Sequence, residues 1–191
     1  MLIHEKGMVA AMKKAAGASG QGLHVAAWKE GGRLWVFLYT NFWCVASAWE
    51  KLPRKVKGLL AEYMGELPGA GDAVEITKKN GVQSEVHTFA ERTIAGYRGA
   101  MSSEDKVKAK ATPLTESEMY TLWQTAKGEI IPMPQPIEQV ALLPAGAYYV
   151  AEDNVMYTVD DDSQIFLKPL IPTGQRAENL KHLGNVRWVN V

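Results

Sequence analysis

Leu23-His24-Val25-Ala26-Ala27-Trp28-Lys29-Glu30-Gly31-Gly32-Arg33-Leu34-Trp35-Val36-Phe37-Leu38-Tyr39 sets two runs rich in Val, Leu, Trp, Phe and Tyr on either side of a glycine pair. β-branched and aromatic residues favour strands, and Gly31-Gly32 can take the positive φ angles of a tight hairpin turn. In the second run Trp35, Phe37 and Tyr39 point one way, while Leu34, Val36 and Leu38 point the other. A strand apolar on both sides is covered on both sides, so 33–39 is expected at the centre of a sheet.

The pattern extends in both directions. Upstream, Met8, Val9, Met12 and Ala16 recur at helical spacing, and Gly17 to Gly22 stops them, which predicts a helix over 5–16. Downstream, a turn at Thr40-Asn41 leads to a third strand, 42–48. A second helix starts after Pro53 and carries Val56, Leu59, Leu60, Tyr63 and Met64 on one face, with Gly65 as its cap. Pro68 to Gly71 then breaks the chain before a second hairpin, 73–79 and 82–89, around Asn80-Gly81. The N-terminal half therefore reads αβββαββ.

From Arg98 to Pro113 the chain turns polar and reads as a linker or long loop. Thr115 and Glu118 have the spacing of a capping box, and Met119, Leu122, Trp123 and Ala126 continue as a third helix. Pro132, Pro134 and Pro136 read as a surface connector. Strands are expected at 147–151, 155–160 and 164–168, a helix at 175–183, and a closing strand at 186–191. The expected class is α+β, with mixed, mostly antiparallel sheets and helices packed on one face. Two organisations stay open: a basic half, 1–98, a linker, 99–113, and an acidic half, 114–191, or one continuous domain.

With 47% hydrophobic and 22% charged residues in 191, the chain has the composition of a packed globular protein rather than a disordered or fibrous one. The longest apolar stretch, 34–49, is interrupted by Thr40, Asn41 and Ser47 and is too short to span a bilayer. The first residues, Met1 to Lys14, lack the apolar core of a secretion signal. A single cysteine, Cys44, fits a reducing compartment, so a cytoplasmic location is expected. Net charge is zero, yet residues 1–99 hold 13 Lys and Arg against 9 Asp and Glu, and residues 100–191 hold 8 against 12. Either the halves attract each other or one of the two surfaces meets a partner.

Chemistry-bearing patterns are sparse. His4, His24, His87 and His182 are scattered, no second cysteine exists, and no metal-ligand spacing occurs, so neither metal nor cofactor is expected. Cys44 sits in the apolar Phe42-Trp43-Cys44-Val45-Ala46, surroundings that raise a thiol pKa and make it inert. The glycines at 17, 20 and 22 lack the preceding strand and following Lys-Ser/Thr of a phosphate loop. No catalytic constellation emerges. Glu152, Asp153, Asp160, Asp161 and Asp162 form an acidic surface for a basic protein partner if their two turns lie near each other. Arg54, Lys55 and Lys57, at the start of the second helix, are the alternative, nucleic-acid-binding candidates.

The helix, three strands and helix of residues 1–66, with Arg54, Lys55 and Lys57 in place, resemble the layout of the double-stranded RNA-binding domain. In that family a basic cluster at this helix start grips phosphates. The family's loop between its first two strands is replaced here by the tight Gly31-Gly32 turn. A second resemblance is carried by Met1-Leu2-Ile3-His4-Glu5-Lys6-Gly7-Met8 and Pro53-Arg54-Lys55-Val56-Lys57-Gly58-Leu59-Leu60. These stretches look like small accessory proteins of phages and prophages, including some that block host defence systems such as CRISPR nucleases. That resemblance implies a stoichiometric binding protein, an inhibitor of a host defence nuclease being one form of it, and the acidic residues would suit a nucleic-acid-handling enzyme, rich in basic surface, as its partner. A nucleic-acid-binding module and an enzyme of unrecognised type stand as the other two readings.

Overall fold

The computed structural model describes residues 2–17, 20–67, 69–141 and 146–191. Met1, Ala18 and Ser19 of the glycine-rich stretch, and Pro68 of the break before the second hairpin lie outside them. The first helix, α1, is Glu5–Ala16, followed by β1, Leu23–Glu30, β2, Arg33–Tyr39, and β3, Trp43–Ala48. Then come α2, Arg54–Met64, β4, Ala73–Thr77, and β5, Gly81–Ser84, completing the expected αβββαββ order. Gly31 and Gly32 both have positive φ, 56° and 78°, as the tight turn requires. β2 lies between β1 and β3, antiparallel to both.

Beyond β5 the structure departs from the sequence reading. The return strand expected to reach residue 89 ends at Ser84, and α3, His87–Gly99, follows. Its Ala90, Ile94 and Tyr97 fall at i, i+4 and i+7 and are buried, a helical face hidden from the reading by the strand-like Val86 to Phe89. The polar stretch read as a linker contains most of β6, Val107–Glu116. In it Ala109 turns into the core while Lys108 faces solvent, a half-buried strand whose lysines disguise it. No third helix forms at 115–126. Ser117 and Glu118 take φ of 53° each, a turn conformation incompatible with helix, and β7, Tyr120–Thr125, returns antiparallel. Pro132 and Pro134 of the expected connector belong to β8, Ile130–Pro134, an edge strand and so tolerant of proline. A one-turn helix, α4, Gln135–Glu138, follows it.

The remaining elements are β9, Ala147–Val150, β10, Val155–Val159, β11, Ser163–Leu167, and α5, Gly174–Gly184. Residues 186–191 are not a strand. The buried Gln124 amide holds them instead, donating to the Val186 carbonyl at 2.7 Å and accepting from the Trp188 N–H at 2.8 Å.

The strands of the described residues join one sheet, in the order β5-β4-β1-β2-β3-β11-β10-β9-β6-β7-β8, with every pairing antiparallel. The β3–β11 pair couples the two halves of the chain. The α1 and α2 helices pack on one face, where Met8, Met12, Val56 and Leu60 meet Leu23, Val25, Val36 and Leu38. Trp123 and Met133, from the far end of the sheet, belong to this same cluster. The twisted sheet therefore curls around α1.

The opposite face carries small residues, Ala26, Ala46, Ala48 and Ala73, and α3 settles over them. Arg98 clamps it there, donating to both Glu30 carboxylate oxygens at 2.6 and 2.8 Å and to Gln164 at 2.8 Å. At the start of α3, Glu85 accepts a hydrogen bond from the Tyr39 hydroxyl. His24 Nδ1 comes within 2.8 Å of the other Glu85 oxygen, without an aligned N–H bond.

Candidate functional site

Thr40 organises the turn between β2 and β3. Its N–H donates to the Trp43 carbonyl at 2.9 Å, and its Oγ1 accepts from the N–H groups of Phe42 and Trp43 at 3.1 and 3.4 Å. Such a side-chain-stabilised turn needs a short hydroxyl residue at its first position. Two further bonds tie it to the protein. The Tyr97 hydroxyl donates to the Thr40 carbonyl at 3.0 Å, and the Lys168 N–H donates to the Phe42 carbonyl at 2.8 Å. Burial pushes the Tyr97 hydroxyl well above its ordinary pKa, so it remains a protonated donor.

This fixed turn presents Phe42 to solvent, 47% exposed, while the adjacent Trp43 is only 4% exposed. Beside Phe42 opens a cleft of about 390 Å³ between α1, the turn, the β8–α4 junction and the segment after β11. Phe42, Trp43, Pro134, Ile137 and Leu170 make its walls apolar. Lys14 and Lys168 also line it. The Lys168 ammonium lies 5.1 Å from the centre of the Tyr97 ring. Residues from both halves of the sequence thus build the cleft, and the backbone bond from Leu170 N–H to the Pro132 carbonyl, 3.0 Å, holds one wall in place.

The expected acidic surface is divided. Glu152 and Asp153 occupy the turn before β10, and Asp160, Asp161 and Asp162 the turn after it. The strand between them has five residues, so the two groups stand at opposite ends, about 17 Å apart at the usual rise of a strand. Asp160 is a turn-former: its Oδ1 accepts from Asp162 N–H at 2.9 Å and from Ser163 N–H and Oγ at 2.7 and 2.8 Å. Burial raises its pKa, but these hydrogen bonds outweigh that and hold it below the ordinary value. Asp162 receives Arg33 at 2.6 Å, an ion pair between the two halves. The charge asymmetry is in part spent inside the molecule.

The basic candidates also separate. Lys55 turns to α1, its N–H donating to Glu5 at 3.1 Å. Arg54 and Lys57 share a groove of about 430 Å³ with Trp49 and Leu67. There the Lys57 ammonium lies 4.9 Å from the Trp49 ring centre and bonds the Glu50 carbonyl at 3.3 Å, which occupies the aromatic face.

Cys44 is buried, and burial pushes its thiol well above the usual range. Among the described residues no group of three His, Cys, Asp or Glu side chains could hold a metal ion, and no helix is long and apolar enough to cross a membrane. Phe42, Lys14, Lys168 and Leu170 were not singled out in the sequence. Phe42 reads there as the first residue of an apolar strand, and the one signal of its exposure is its place beside Asn41 in the turn. The chain matches no protein-family model, no curated protein and no solved structure.

Proposed function

We propose that this chain is a stoichiometric protein-binding factor that takes up an apolar segment of a partner, flanked by acidic residues, in the cleft beside Phe42. The observation that carries this reading is Phe42 itself, an exposed aromatic ring on a turn fixed by five hydrogen bonds. Covering an exposed aromatic ring removes apolar surface from water, and a ring on a turn already fixed in place loses little entropy on being covered. Aromatic anchors beside apolar clefts dominate protein–protein affinity. The cleft volume suits a few side chains of a partner. Lys14 and Lys168 would speed and orient the approach of an acidic segment.

This mode of action is also the one implied by the resemblance to phage accessory proteins, which makes a defence nuclease the partner class to try first. Selection from a displayed random-peptide library tests the reading without knowledge of the partner. Peptides enriched on the wild-type protein are expected to carry aromatic or long aliphatic residues next to Asp or Glu. They should lose binding to Phe42→Ala and to the double variant Lys14→Glu/Lys168→Glu. Peptides that bind all three proteins equally would overturn the proposal.

A further inference from the structure

The two edges of the sheet are treated differently. At β8, Pro132 and Pro134 interrupt the outer ladder, the Leu170 N–H caps the Pro132 carbonyl, and α5 packs alongside. At β5 no described residue pairs with the outer side, and all four residues, Gly81 to Ser84, are exposed. Exposed apolar side chains surround this open edge: Val82 at 43%, Val86 at 70% and Phe89 at 52%. An open edge flanked by apolar surface is a template for another strand.

We infer that β5 pairs with β5 of a second copy of this chain, joining two sheets across a two-fold axis. The backbone sets the register. Glu85 N–H donates inward to the Ala73 carbonyl at 2.8 Å. Alternation along the strand then turns the N–H and C=O of Val82 and Ser84 outward. An antiparallel partner satisfies all of them when Val82 faces the partner's Ser84 and Ser84 faces the partner's Val82. The axis then passes through Gln83, which faces its own copy.

Two further features suit a second copy. Gln83 stands opposite Glu75 in the β4–β5 ladder, so Val82 and Gln83 point to opposite faces. Pairing therefore covers apolar surface on both faces, Val82 on one and the Val86 and Phe89 side chains at the start of α3 on the other. Charge is complementary as well. Lys78 and Lys79 precede the strand, while Glu91, exposed and bound to His87 at 3.0 Å, follows it on the first turns of α3. The antiparallel arrangement lays the lysine end of each copy along the Glu91 end of the other. A surface of one sign throughout would oppose such a pairing; this one changes sign along the strand.

Sedimentation velocity from low to high micromolar concentration tests the inference, with three proteins compared. The wild type is expected to shift from monomer to dimer. Ser84→Pro removes an outward N–H and leaves the β4 ladder intact, so it should remain monomeric with an unchanged circular-dichroism spectrum. Gln83→Cys places two thiols face to face at the axis, in the closely spaced pair of an antiparallel ladder. Mild oxidation should convert it to a disulfide-linked dimer, and Cys44 is too buried to compete. A wild type that stays monomeric throughout overturns the inference. So does a dimer that survives Ser84→Pro, or a dimer with which Gln83→Cys forms no disulfide.

Discussion

The Tyr97 hydroxyl, on α3, donates to the carbonyl of Thr40, in the turn at the end of β2, at 3.0 Å. One helix on one face of the sheet thereby fixes the turn that presents Phe42 at the mouth of the cleft. Tyr97→Phe leaves that buried carbonyl without its donor and should cost about 1–2 kcal/mol. Urea unfolding measures this as a lowered midpoint at unchanged slope. The same variant should bind the selected peptides more weakly, because the turn is no longer held from below.

Phe42 and Trp43 are neighbours with opposite fates, and their substitutions should separate binding from stability. Phe42→Ala removes a half-exposed ring and should change stability by no more than about 1 kcal/mol while abolishing peptide binding. Trp43→Ala opens a hole in the core and should cost about 3–5 kcal/mol. Unfolding curves and peptide titrations on the two proteins, side by side, check both halves of this prediction.

Gln124 does the work of a strand neighbour with a side chain, pairing with Val186 and Trp188 as a peptide group would. Gln124→Leu keeps the volume and removes both bonds, so the backbone around Trp188 should loosen at a cost of about 1–3 kcal/mol, with the segment still tethered by the Arg187–Ala126 and Lys110–Asn190 bonds. Hydrogen exchange reads this directly. The Trp188 amide should lose its protection while amides of β2 keep theirs.

The Arg98–Glu30 pair sets an acid-side dependence of stability. Hydrogen bonding and charge from Arg98 hold the Glu30 carboxyl below its ordinary value of 4.5, against a smaller opposing effect of burial. A carboxyl with a lower pKa folded than unfolded contributes stability above the unfolded value and loses it as pH falls through the folded value. Glu30→Gln should therefore be less stable than wild type at neutral pH, and the two should converge below pH of about 4. Urea midpoints measured from neutral pH to about pH 3 test the convergence.

Much of the N-terminal half was legible because its turns are spelled out locally. Gly31-Gly32 and Asn80-Gly81 mark hairpins, and the apolar spacing of α1 and α2 matches a helix buried on one side. The C-terminal half defeated the same rules for identifiable reasons. Thr115 and Glu118 have capping-box spacing, yet the Tyr120 to Thr125 segment pairs on both sides, and tertiary pairing overrides a local signal. Lys106, Lys108 and Lys110 look like linker residues, although two of them sit on the solvent side of β6. The site was less legible than the fold. Phe42 is an ordinary strand residue in the sequence, and the residues that share its cleft or fix its turn, Leu170, Pro134 and Tyr97, are all distant in the chain. The acidic residues were visible, but only the topology shows that β10 keeps Asp153 and Asp161 apart.

Binding through Phe42 is tested by placing a photo-crosslinking amino acid at position 42, and for comparison at the exposed Val159, in the protein expressed in cells that contain its partner. One discrete protein adduct is expected from position 42, absent from position 159, and suppressed by excess selected peptide. Adducts of equal yield from the two positions, or none from position 42 while the protein is folded and abundant, would contradict it.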